Sequence, residues 1–115
     1  MSIFMAYAHD DAARLDQMQV ELRRRGIVQE GEEFVDPART IGPETSIRGA
    51  LREAIGSSSM MVVLWGPAAA ASATVNYEVG MADALDKPIV VVVSEGESSR
   101  PRVGTLDMRV VELPN

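Results

Sequence analysis

Apolar and polar positions follow two regimes along this chain. Short runs in which nearly every residue is apolar cover residues 2–8 (SIFMAYA), 60–65 (MMVVLW) and 88–93 (PIVVVV). Runs this short and this apolar predict strands buried on both faces. Between them, apolar residues recur at helical spacing. Ala12, Leu15, Met18 and Leu22 form one such stripe, with Asp10 placed to cap it and Arg23, Arg24, Arg25 and Gly26 to end it. Residues 33–35 read as a short strand behind an acidic loop, and residues 36–42 as a loop. Pro43 sits at the first turn of a second helix whose stripe is Ile47, Leu51, Ala54 and Ile55. Residues 66–71 read as a loop of small residues, and Ser72 caps a third helix that runs to about residue 86. Residues 94–103 read as a loop, and residues 108–113 as a last edge strand.

Strands and helices therefore alternate, which predicts an α/β fold: a parallel sheet with helices on both faces. Right-handed crossovers and this number of elements favour a flavodoxin-like, five-stranded sheet of order 2-1-3-4-5. The 115 residues suit a single domain spanning 1–115. A charge of −6 argues against a nucleic-acid surface and against an anionic membrane. The longest apolar runs fall far short of the roughly 20 residues a membrane span needs. Residues 1–10 lack a basic start and reach acidic residues quickly, unlike a signal peptide, so the expected location is cytoplasmic. With no cysteine and one histidine, thiol catalysis, Cys-based metal sites and Ser-His-Asp triads lack parts.

In such sheets, ligands bind beyond the carboxyl ends of the strands where the strand order reverses, here between strands 1 and 3. The third helix brings a carboxylate there. Taking about 100° per residue from Val75, Val79 and Ala82 fall at roughly +40° and −20°, and Glu78 at roughly −60°, inside the apolar arc. Burying a carboxylate is costly without a partner or a purpose. On the residues alone, Glu78 is either a functional carboxylate or a helix-edge residue that reaches solvent or pairs with an Arg. His9 reads as an exposed loop residue. Asp10 and Asp11 resemble a response-regulator acidic pair, but Trp65 and Gly66 stand where strand 3 would need Asp. There is no glycine-rich phosphate loop of the usual types, and no metal site is expected.

Several segments together resemble Toll/interleukin-1 receptor (TIR) domains. Residues 3–11 (IFMAYAHDD) are similar to box 1. Phe34, Val35, Asp36, Ile41, Gly42, Ile47, Ala54, Ile55 and Ser57 are similar to box 2. Residues 61–67 are similar to the strand that follows. Residues 72–78 are similar to the stretch carrying the family's catalytic glutamate, which Glu78 matches, with Thr74 where the pattern has Trp. The resemblance implies the flavodoxin-like fold and, for many members, cleavage of NAD at its nicotinamide–ribose bond in an assembled state. Others are non-catalytic self-association modules. It implies Glu78 as the catalytic residue. Together with the switch point, it points to substrate contacts at Tyr7, Ala8, His9, Phe34, Asp36, Arg39, Ile41, Gly42, Trp65, Ser72 and Thr74. NAD is then substrate, with no separate cofactor. Self-association is expected through the loop 36–43, whose Pro37, Ile41 and Pro43 are apolar, and the family expectation for a host process is bacterial antiphage defence or virulence.

The chemistry is compatible with one glutamate. Ordinary glycosidic cleavage uses a second carboxyl group to protonate the leaving oxygen. Nicotinamide instead departs as a neutral base from a pyridinium cation, so one carboxylate that stabilises the ribosyl cation or attacks it suffices. A second resemblance is chemically related. Residues 77–88 (YEVGMADALDKP) are similar to the glutamate-bearing stretch of nucleoside 2-deoxyribosyltransferases. The expected function is NAD glycohydrolase or cyclase. The alternatives are a non-catalytic TIR signalling module and a deoxyribosyltransferase-like enzyme.

Overall fold

A computed structural model describes residues 2–37, 47–101 and 108–114, with Ile47 by its backbone alone. The strands are β1 (Ser2–Ala6), β2 (Glu33–Val35), β3 (Met60–Leu64), β4 (Ile89–Ser94) and β5 (Met108–Leu113). They form one sheet of order β2-β1-β3-β4-β5, with every neighbouring pair parallel. The valine-rich β3 and β4 suit this position, because β-branched side chains pack well on a sheet covered on both faces.

Helices α1 (Leu15–Arg24), α2 (Ile47–Ser57), α3 (Pro67–Ala70) and α4 (Ala73–Ala84) surround the sheet. Alternate strand residues feed two cores. Phe4, Ala6, Met61, Val63 and Val91 pack with Leu51 and Ile55 of α2 and Val75 and Val79 of α4. Ile3, Met5, Val62, Leu64 and Val90 pack with Leu15, Met18 and Leu22 of α1. The result is the flavodoxin-like three-layer arrangement expected from the sequence, with a sheet between α1 on one side and α2 and α4 on the other.

The structure corrects several boundaries. The segment expected to open α1 is a 3-10 turn, His9–Arg14, which follows an extended Ala8 and has no side-chain cap. Asp10 lies inside that turn, so it does not cap it, and Ala12 is exposed. The stripe is therefore Leu15, Met18 and Leu22. The expected loop 66–71 contains α3, because Pro67 presets the first helical turn and three alanines continue it. Ala69 is buried in the α4-side core. Helix α4 stops at Ala84, where Asp86 adopts a left-handed φ of 56° and Lys87 N–H returns to the Ala82 carbonyl. Strands β1 and β3 end at Ala6 and Leu64, before Tyr7 and Trp65. Pro43 lies outside the described residues.

Candidate active site

The start of α4 is held firmly. Ser72 is extended, and its Oγ accepts a hydrogen bond from Val75 N–H at 3.2 Å. Its cap satisfies one of the amides that a helix start leaves unpaired. Asn76 Nδ2 donates to the carbonyls of Ser72 at 2.8 Å and Ala70 at 3.2 Å, which ties α4 to α3. One turn into this anchored helix, Glu78 is only 2% exposed, in line with Val75, Val79 and Ala82. The apolar-arc position read from the sequence thus becomes a buried carboxyl group. Among the described residues, no Arg or Lys forms an ion pair with it.

Burial pushes the Glu78 carboxyl up to about 8, and the negative charge of Asp36 adds to the effect. Desolvation disfavours the charged form, and a like charge nearby disfavours it further. Asp36 follows β2, and its Oδ1 accepts a hydrogen bond from the Tyr7 hydroxyl at 2.8 Å. Tyr7 follows β1. Three elements that meet at the carboxyl edge of the sheet thus contribute Tyr7, Asp36 and Glu78. Near neutral pH, Glu78 in the resting site holds a proton. A bound cation would favour its ionisation.

The other sequence candidates are placed as follows. Ala8 is buried in the α4-side core. Trp65 is buried there too, with Nε1–H donating to Ser99 Oγ at 3.2 Å, so it serves as a packed wall rather than an open stacking face. Phe34 and Tyr7 pack toward α1, on the opposite face of the sheet from α4. His9 is exposed at the first position of the 3-10 turn. Ser72 is occupied by its capping role. Thr74 is exposed and lines a shallow groove between α2 and α4, with Arg48, Leu51 and Tyr77. Arg39, Ile41 and Gly42 lie outside the described residues, as does most of the loop 36–43. Among the described residues, no group of three or more His, Asp and Glu side chains is placed to hold a metal ion.

Sequence reasoning passed over Ser99 and Gln19. Ser99 also donates to Glu97 Oε1 at 2.7 Å, which pins the loop after β4 against Trp65. Arg23, expected as a solvated helix end, sits 5.2 Å above the Phe34 ring centroid. It donates to the carbonyls of Gln29 at 3.2 Å and Glu32 at 2.8 Å. The one usable signal was the proximity of a run of arginines to the acidic loop that precedes Phe34.

The family model described as "Thoeris protein ThsB, TIR-like domain" matches residues 4–99. The chain belongs to this family of TIR-like domains. Solved structures agree on the fold. The TIR domains of the activated Roq1 resistosome, which recognises the pathogen effector XopQ, match with a TM-score of 0.60 at 19% identity. That match covers 82% of this chain and 57% of the other, so this domain spans little more than half of that chain's length. The TIR domain of the Toll-related receptor TRR-2 from Hydra magnipapillata matches with a TM-score of 0.64 at 17% identity, covering 96% and 82% of the two chains. A CMP N-glycosidase from Clostridium botulinum, BcmB, matches with a TM-score of 0.56 at 17% identity, covering 100% and 89%. Comparison with curated proteins gives no match. No helix among the described residues of this TIR-like domain is long and apolar enough to cross a membrane.

Proposed function

We propose that this TIR-like domain cleaves an N-glycosidic bond to ribose, and that its substrate is NAD, cut between nicotinamide and ribose. The observation that supports this reading is the buried Glu78 carboxyl near the start of an anchored helix, with the negative charge of Asp36 close enough to raise it further. NAD brings a cationic ring into that site. Its charge favours loss of the Glu78 proton, and the carboxylate then faces the ribosyl cation that forms as nicotinamide departs. The departing base is neutral and takes no proton. Water, or a nucleophile of the substrate itself, completes the reaction to ADP-ribose or a cyclic product.

In this reading the domain works in the cytoplasm, in bacterial immune signalling. Self-association through the loop 36–43 raises its activity, so the rate per subunit climbs with protein concentration. The deciding experiment is incubation of concentrated protein with NAD and chromatography of the nucleotides. Free nicotinamide is the expected product. Intact NAD at every protein concentration would sink the proposal. CMP and deoxynucleosides tested in parallel separate it from related N-glycoside chemistry.

A further inference from the structure

A second feature opens from the same carboxyl edge, on the α1 side of the sheet. It is a cleft of about 830 Å³ between α1 and the edge strand β2. Clefts of this size are in the range that holds a drug-sized ligand. Tyr7 and Asp36 line it, so it begins where the Glu78 site ends. Its apolar walls are Met5, Leu15 and Phe34, and Gln19 projects from α1 among them.

Two observations identify what fits. First, the Phe34 ring is fixed under Arg23, whose guanidinium is itself held by two carbonyls. A rigid aromatic and guanidinium stack is a platform for a flat ring. Second, the Gln19 amide donates only to the Met5 thioether, at 3.4 Å, among the described residues. Sulfur is a weak acceptor, so this amide exchanges it readily for a better one. A Gln amide offers one donor and one acceptor side by side, which matches the N7 and N6 edge of adenine. The remaining polar lining is mostly acceptor, with Asp16, Glu32 and Glu33. Those carboxylates favour the exocyclic amine of adenine and repel the oxygen that guanine carries at the same position. They also repel phosphates, which fixes the direction: the base enters and the phosphates stay at the mouth.

We infer that the α1-side cleft is an adenine subsite, holding the adenylate end of a dinucleotide whose ribosyl bond lies at Glu78. The link to Glu78 rests on the proposed function; the adenine site itself does not. AMP contains the base and no scissile nicotinamide, so calorimetry with AMP tests the cleft without any turnover. AMP should bind, GMP and CMP should not, and Gln19→Leu should weaken AMP about tenfold or more, as loss of one paired amide contact does. Gln19 lies partly exposed on the surface of α1, so the variant keeps the fold. In turnover, NAD should be preferred over nicotinamide mononucleotide, which has the same bond and no adenylate. Gln19→Leu should erase that preference. Failure of AMP to bind, equal binding of GMP, or indifference of AMP to Gln19→Leu overturns the subsite, even where NAD is cleaved. Normal AMP binding that Gln19→Leu weakens, with NAD left intact, would instead retain the subsite and overturn the proposed function.

Discussion

Along β1 and just beyond it, alternate residues face two different surroundings. Phe4, Ala6 and Ala8 turn toward α4, where the packing is closed and one carboxyl group is enclosed. Ile3, Met5 and Tyr7 turn toward α1, where the packing opens into a wide cleft. The side chains suit the two tasks. Small residues at 6 and 8 leave α4 room to seal Glu78 from water, and the larger ones at 5 and 7 make the wall and rim of the cleft. A closed side raises the energy of a charge, and an open side admits a ligand. In the proposed reading, one molecule meets both at the sheet edge.

The sharpest break in this comparison comes from the closed side. Glu78→Gln keeps size and polarity and removes the ionisable group. Turnover of NAD should fall by two orders of magnitude or more, about 3 kcal/mol of transition-state stabilisation. NAD binding should persist, because the cation exists only near the transition state. Steady-state rates and calorimetry on the variant check both; retention of near-parental turnover would remove Glu78 from the mechanism.

The same substitution has a stability signature of opposite sign. The carboxyl of Glu78 rises from an ordinary value of 4.5 to about 8 on folding. A raised folded value means the folded state binds the proton more tightly. That contribution is fully present below pH 4.5 and is lost as pH rises to about 8, on the order of 4 kcal/mol across the window. Glu78→Gln should therefore match the parent near pH 4 and melt at higher temperature than the parent near pH 9. A melting series against pH would show this, and parallel curves would contradict it.

Catalysis should depend on pH through the same group. If the ionised form acts, kcat/KM for NAD rises with pH up to about 8 and then levels. Asp36→Asn removes the neighbouring charge and should move that rise to lower pH, whereas loss of a merely structural Asp36 would lower the rate without moving the profile. Smaller still, Ser72→Ala removes the cap of α4 and should cost about 1 kcal/mol of stability in denaturant unfolding. A larger loss would mean that Ser72 does more than cap.

The legible parts of this protein were those set by local spacing. The valine run of β4 and the helical position of Glu78 between Val75 and Val79 needed no knowledge of distant residues. Asp36 was marked by the switch point and the resemblance together, but its electrical effect on Glu78 depends on two segments 42 positions apart in sequence meeting at one edge. Phe34 shows the limit more plainly. Its face is decided by its register opposite Ile3, and a three-residue strand carries no alternation that reveals this. The turn at residues 9–14 was hidden because its apolar spacing differs little from that of an α-helix. Helix α3 was hidden because small residues resemble a loop until Pro67 is read as a helix start.

Strand β1 precedes every other strand in sequence, yet it has neighbours on both sides, β2 and β3. On the ribosome it emerges before either partner exists, and its second edge stays unsatisfied until β3 has left the exit tunnel. Parallel pairing over such separations is slow, because the intervening chain must be brought to order first. For that interval SIFMA is an apolar segment with at least one open edge, the form in which strands stick to one another. Growth temperature and translation speed should thus govern the soluble yield of this domain more than the stability of its finished fold does.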